Sequence, residues 1–146
     1  MRVRAVGPQD HDLWLSMRIA LWPETERQRH CEEMAMLLSR GDRHAVFVCQ
    51  APGDDRIGFA EVSLREWAEG CLSSPVAYLE GWYVAPGFRR RGAGRALLCA
   101  AESWARSHGC TEMASDTDIG NRASEAAHAR LGFEVAGRVL AFRKDL

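Results

Sequence analysis

Apolar residues recur along this chain with two periods, and the switches between them mark out its elements. In residues 2–6, Val3 and Ala5 alternate with arginines, which predicts a short first strand broken by Gly7-Pro8. Leu13, Trp14, Met17 and Leu21 then repeat at helical spacing behind Asp10, a residue suited to cap a helix. Pro23 stops that helix or opens the next, which is expected over residues 24–40 with Met34, Leu37 and Leu38 as its apolar side. Residues 45–50 and 57–64 are apolar runs flanking Gly53-Asp54-Asp55, a pattern that predicts an antiparallel hairpin. A polar loop over 65–75 leads to residues 78–84, rich in aromatic and β-branched side chains and closed by Pro86-Gly87, hence a strand. Ala96, Leu97, Ala100, Ala101 and Trp104 predict a long helix to about residue 107. A short strand over 112–116 and a helix over 121–130 follow, the latter ended by Gly132. Phe133 is expected to begin a strand, and residues 139–143 to close the sheet. The order β-α-α-β-β-β-α-β-α-β-β predicts an α+β protein: a mixed sheet with helices on both faces.

Composition narrows the class. A length of 146 residues suits one domain, residues 1–146, with a single core. A net charge of −1 and a pI near 6.5 argue against nucleic-acid binding, which needs a basic face. Cys31, Cys49, Cys71, Cys99 and Cys110 are scattered, odd in number and without C-x-x-C spacing. They suggest neither a disulfide framework nor a metal site, and reduced thiols in a cytoplasmic protein is the expectation. No apolar run approaches the ~18 residues of a membrane span, and Met1-Arg2-Val3-Arg4 lacks an apolar signal core, so neither a membrane nor an export role is expected.

The densest chemical information lies between strand 78–84 and the long helix. Arg89-Arg90-Arg91-Gly92-Ala93-Gly94-Arg95 forms a basic glycine turn just before the helix. The first N–H groups of a helix have no internal partner and lie at the positive end of its dipole. Glycines let the backbone approach a ligand, and arginines add charge and forked donors. A pyrophosphate suits such a turn, although a solvated basic turn with a tight helix contact has the same short pattern.

Arg89-x-x-Gly92-x-Gly94 resembles the acyl-CoA signature of the GCN5-related N-acetyltransferases. Trp22, Ser74-Pro75-Val76, Leu79-Glu80-Gly81, Cys110-Thr111-Glu112, Ala114-Ser115-Asp116, Asn121 and Leu131-Gly132-Phe133 together resemble one subgroup, the aminoglycoside 6′-N-acetyltransferases. The resemblance covers almost the whole chain. It implies a sheet whose fourth and fifth strands splay to admit the pantetheine arm of acetyl-CoA. It implies backbone pairing of Trp82, Tyr83 and Val84 with that arm, and an Asn121 that faces the cofactor, beside its plain reading as a helix cap. It also implies a homodimer. Trp22 is either a hinge aromatic or, as in the subgroup, a wall against the bound sugar. Trp67 is either a packing residue or a second aromatic border.

Transfer of an acetyl group to an amine requires two ligands held together, a neutral nucleophile and a donor for the developing oxyanion. Glu80 stands in an otherwise apolar strand, where a carboxylate is costly without a partner. It is either an outward-facing surface residue or the group that binds the cationic amine and, through water, assists loss of its proton. Asp116 ends the fifth strand facing the same crevice, while Asp118 has a turn role as its alternative. Several acidic residues would draw a polycationic acceptor. The acidic ligand that relatives carry early in the final hairpin aligns with Gly137, and Glu134 is the expected substitute. The family's tyrosine acid aligns with His128, either a weak acid or a packed helix residue. This chemistry is expected to place Glu80 on the same side of the sheet as the arginine turn, and the opposite placement would end the case for it. The expected function is acetyl-CoA-dependent acetylation of an aminoglycoside 6′-amine, hence antibiotic resistance, without a metal. Acetylation of a polyamine or peptide, or a silent acyl-CoA-binding module, are the alternatives.

Overall fold

The computed structural model describes residues 1–53 and 55–146; Asp54, read above as part of the hairpin turn, lies outside the described residues. The chain forms β1 (Arg2–Ala5), α1 (His11–Leu21), α2 (Arg27–Ser39), β2 (His44–Gln50), β3 (Arg56–Arg65), β4 (Val76–Val84), α3 (Ala93–Ser107), β5 (Met113–Ser115) and α4 (Arg122–Arg130). The sheet of five strands runs in order β1-β2-β3-β4-β5. Its pairs are antiparallel except β4 with β5, which is parallel.

Alternation along the strands feeds two cores. On β2, Val46 and Val48 face α1 and α2 and pack with Trp14, Leu15, Met34 and Phe59. Cys49 faces the other way, into a cluster built by Ile57, Val62 and Leu79 with Leu97, Leu98 and Ala101 of α3. Helices therefore cover both faces, as the α+β reading expects.

Two features of the sheet position the site. The register of β3 on β4 slips: Glu61 pairs with Gly81 but Val62 pairs with Leu79, leaving Glu80 as the extra residue. Such a bulge re-aims a side chain locally. Pairing of β4 with β5 covers only Ala77–Leu79 against Met113–Ser115, so the rest of β4 runs on without a β5 partner among the described residues.

Some expectations fail. No strand begins at Phe133, and residues 139–143 do not close the sheet. Val135, Val139, Leu140 and Phe142 are exposed there. A strand requires an edge that accepts its backbone groups, and hydrophobic pattern alone does not say which chain supplies that edge. Helix α2 starts three residues later than expected, because the Thr25 N–H closes a turn on the Trp22 carbonyl at 3.2 Å.

Asp10 precedes α1 but its side chain does not cap it. Instead the fully buried carboxylate accepts from Arg4 at 2.6 and 2.9 Å, from Arg56 Nε at 2.9 Å and from the Gly7 N–H at 2.8 Å. It ties β1 and β3 to the turn before α1. The Arg4 hydrogen bond, with further help from Gly7 and Arg56, holds its carboxyl well below the usual range against the opposing effect of burial.

Removing one partner of such a buried pair leaves the others uncompensated, so Asp10→Asn should lower the unfolding free energy by about 3 kcal/mol in urea titration. Because the folded carboxyl is depressed, its contribution is complete above the unfolded value of ~3.9 and fades as pH falls through the folded one. The wild type should therefore lose stability more steeply than Asp10→Asn below about pH 4.

Candidate active site

Alternation along β4 puts Glu80 on the face of Tyr78, and the bulge keeps Gly81 there beside it. Ser63 and Arg65 share one face of β3, opposite Val62 and Leu64, which join the α3 cluster. Ser63 Oγ donates to Glu80 Oε1 at 2.5 Å, so Glu80 lies on the face that carries α1 and α2. Helix α3, which follows the arginine turn, packs on the other face. The requirement that Glu80 and the turn share a side of the sheet is therefore corrected. The physical reason is the pleat of β4: Glu80 shares the face of Tyr78, and the extra residue then keeps Gly81 on the α1 and α2 side as well. Beyond the Leu79–Ser115 pair β4 has no β5 partner among the described residues, which leaves an opening between the two faces there.

Glu80 is not free. Arg65 grips it with both arms of its fork, Nε to Oε1 at 2.9 Å and Nη2 to Oε2 at 2.7 Å. The Arg65 guanidinium also stacks 3.4 Å from the centre of the Tyr78 ring. Tyr78 donates its hydroxyl to Asp116 Oδ2 at 2.5 Å, joining the two carboxylates through one network. Burial, then this bond to Asp116, raises the Tyr78 phenol well above its ordinary value. The bond to Glu80 likewise raises the Arg65 guanidinium. Sequence reasoning did not name Ser63, Arg65 or Tyr78. The signal was present as period-two pairs, 63 with 65 and 78 with 80, but their alignment across the bulge is not legible in one chain.

Trp22 ends α1 and leans on β4. An ideal Cβ on Gly81 would stand 2.6 Å from Trp22 Cη2, so only glycine lets the indole come this close. His30 stacks on the indole at 6.3 Å, and Arg18 lies 4.8 Å from its centre. Arg18 is itself buried, bonded to Glu61 Oε1 at 2.6 Å and to Glu33. Glu61 also accepts from Trp14 Nε1 at 2.9 Å. Burial pushes the Glu61 carboxyl up, and Arg18 opposes that shift. The hinge reading and the wall reading of Trp22 are thus compatible: the hinge is built around a half-buried ring beside Glu80.

Trp67 is exposed in the 66–75 loop, and the structure gives it no ring partner among the described residues. Glu134 is exposed too. An ideal Cβ on Gly137 would lie 3.6 Å from Glu69 Cγ, so the carboxylate beside that position is Glu69. His128 is a packed residue: its Nδ1–H donates to the Ser124 carbonyl at 2.8 Å, and its Nε2 meets Ser115 Oγ at 2.9 Å. Its ring stands edge-on to Trp82 at 5.3 Å. Asn121 caps α4, Oδ1 accepting from the Ser124 N–H at 3.1 Å.

The arginine turn has the backbone of an anion cradle. Arg90 and Gly92 have φ of 62° and 92°, and the helix dipole of α3 begins directly at Ala93. Left-handed residues beside a helix N-terminus converge backbone N–H groups on one point. Arg90, Arg91 and Arg95 are exposed there, while Arg89 donates Nε to the Val84 carbonyl at 2.8 Å. The two glycines differ in role. Gly92 supplies the left-handed conformation. At Gly94 an ideal Cβ would stand 3.0 Å from Trp82 Cζ2, and Trp82 Nε1 donates to the Gly94 carbonyl at 3.1 Å. Gly94 therefore allows the helix to seat on Trp82, a packing role beside the ligand approach expected of it. The Ala85 N–H donates to Ile57 at 2.8 Å, so the Val84 N–H faces the opposite, open edge of β4.

A sheet opened between β4 and β5, with an anion cradle on one side and a carboxylate cluster on the other, defines an acyl-CoA N-acyltransferase architecture. Residues 11–133 match the acetyltransferase (GNAT) family, and the chain belongs to that family. It is 50% identical over 99% of its length to the aminoglycoside N(6′)-acetyltransferase type 1 of Klebsiella aerogenes, covering 96% of that protein. It is 43% identical over 94% of its length to the protein of that name from Serratia marcescens, covering 96% of it. Among solved structures, AAC(6′)-Iy in complex with a bisubstrate analogue, CoA-S-monomethyl-acetylneamine, superposes with a TM-score of 0.93 at 38% identity, covering 99% of this chain and 98% of that one.

Gly94→Val should displace the Trp82 ring and cost about 1–3 kcal/mol of stability. A lowered melting temperature with an altered tryptophan emission spectrum would report it.

Proposed function

We propose that this protein is an acetyl-CoA-dependent aminoglycoside 6′-N-acetyltransferase that acts in the cytoplasm and confers resistance. The observation that carries the reading is the meeting of Glu80, Tyr78–Asp116 and Trp22 on one side of the opening whose other side holds the arginine cradle. Full-length similarity to named 6′-acetyltransferases supports the same conclusion. Residues 1–146 act as one catalytic domain.

The residues then divide the work. Arg90, Arg91, Gly92, Ala93, Gly94 and Arg95 hold the pyrophosphate of acetyl-CoA, with Arg89 fixing the end of β4. The open backbone edge along Trp82, Tyr83 and Val84 aligns the pantetheine arm, and the Val84 N–H polarises the thioester carbonyl. Asn121 keeps α4 in place at the cofactor's flank. Trp22 provides an aromatic wall for the sugar ring, and Trp67 a second one from the loop. Glu80 and Asp116 attract the ammonium groups, with Glu69 in the position expected of Glu134. The neutral amine attacks the carbonyl carbon; the C–N bond forms, the C–S bond breaks and the electron pair leaves on sulfur as thiolate. The amine proton passes to Glu80 or through water to solvent. A thiol pKa near ~8.5 makes thiolate an adequate leaving group, so His128 need not protonate it.

The protein also works as a homodimer. Residues after Phe133 leave Val139, Leu140 and Phe142 exposed by 70, 78 and 90%. Met113 of β5 borders a cleft of about 260 Å³ lined by Leu131 and Phe133 and also by the polar Glu102, Arg106 and Glu112. A second copy offers the apolar cover that the single chain lacks.

Glu80→Gln should lower kcat on a 6′-amino aminoglycoside at least ~10-fold while the KM for acetyl-CoA stays within about twofold. Gly92→Val should do the reverse, weakening acetyl-CoA through a strained turn. Equal loss of both constants in Glu80→Gln would sink its assigned role. Light scattering should give twice the 16.3 kDa chain mass, and Phe142→Asp should shift it toward monomer. A monomeric wild type at micromolar concentration would exclude the dimer.

A further inference from the structure

Two arginine–carboxylate pairs on the same face of the sheet differ in one respect. Arg18 on Glu61 is sealed, with each side chain 3% exposed. Arg65 on Glu80 is open, with side chains 44 and 29% exposed. Arg65 is the last residue of β3, so its side chain has solvent beside it and a loop behind it. Its guanidinium is positioned as a cationic ligand would be: forked onto Glu80, flat on the Tyr78 ring, and adjacent through the Tyr78 hydroxyl to Asp116.

We propose that Arg65 is a resident competitor for the acceptor's ammonium site, holding Glu80 and the Tyr78 face in the free enzyme and giving way only to a polycationic acceptor. The proposal rests on reading Glu80 as the acceptor's carboxylate. A lone ammonium makes a point contact and competes poorly with a bidentate fork. An acceptor with several tethered ammonium groups engages Asp116, Glu69 or Glu66 with one of them and thereby raises the effective concentration of the next at Glu80. Arg65 so sets a minimum charge for acceptors. It also keeps the carboxylate aimed while no substrate is present, sparing Glu80 an unpaired, half-buried state. The ion pair is exposed enough to exchange, which the sealed Arg18 pair is not.

The test compares wild type with Arg65→Ala, and with Arg65→Lys as a variant that keeps the charge but loses the fork. Retained melting temperature and acetyl-CoA KM establish that each is folded. Thiol release is followed with a mono-amino sugar and with a tetra-amino aminoglycoside, and guanidinium ion at millimolar concentration serves as a probe of the vacated position. Arg65→Ala should lower KM for the mono-amino sugar by about fivefold, the upper range for an exposed pair, and lower it less for the tetra-amino acceptor. Guanidinium should inhibit Arg65→Ala competitively against acceptor and leave the wild type unaffected; Arg65→Lys should lie between. An unchanged or raised KM with lowered kcat, restored by guanidinium, would overturn the proposal and make Arg65 a fixed support of Glu80. Wild type that acetylates no aminoglycoside would sink the functional reading instead. Calorimetric titration of the same acceptors and of guanidinium into both proteins would then still decide the role of Arg65.

Discussion

Strand β4 has one more residue than β3 can pair, and the site depends on that mismatch. Without the extra residue, strict alternation from Tyr78 would still put Glu80 on the α1 and α2 side but would turn the next residue, Gly81, toward α3. With it, Glu80 and Gly81 both turn to the α1 and α2 side. Gly81 there has no side chain, which leaves room for Trp22, and Glu80 finds Ser63 and Arg65. A few residues on, β4 has outrun β5 and presents an unpaired backbone edge on the way to the arginine turn. Local register thus provides both the carboxylate and the passage that leads to it.

Around that strand the molecule keeps its charges in two classes. Asp10 with Arg4 and Arg56, and Glu61 with Arg18, are sealed and join segments distant in sequence. Glu80 with Arg65, and the exposed arginines 90, 91 and 95, remain in contact with solvent. The first class costs desolvation and returns it through dense hydrogen bonding, fixing the helices to the sheet. The second can exchange partners, which binding requires.

Much of the fold was legible in the chain because period and punctuation agreed: Val46 and Val48 alternating with Cys49, Leu97 and Ala101 one turn apart, Gly92 before a helix. The glycine turn, Glu80 and Trp22 were legible as candidates. What escaped was relational. The slip opposite Glu61 is a property of two strands, so neither the face of Glu80 nor its bond to Arg65 could be read from one. Asp10 has the residue type of a cap, yet Arg4 of β1 and Arg56, 46 residues further on, claim it. The segment from 139 to 143 is an apolar run of strand length, but composition does not specify which edge receives it. At Gly94 the pattern suggested ligand approach, but its packing against the indole of Trp82 was not legible in one strand and one helix.

The two aromatic borders of the proposed acceptor site are mounted very differently. Trp22 is clasped by His30, Arg18 and Phe59, and Arg18 is anchored in turn on a carboxylate within the core. Trp67 rides on a surface loop with most of its ring in water. An acceptor enlarged toward the first would meet an unyielding boundary, whereas one enlarged toward the second would meet a boundary that can retreat. Changes in acceptor range should accordingly play out on the loop side of the cleft.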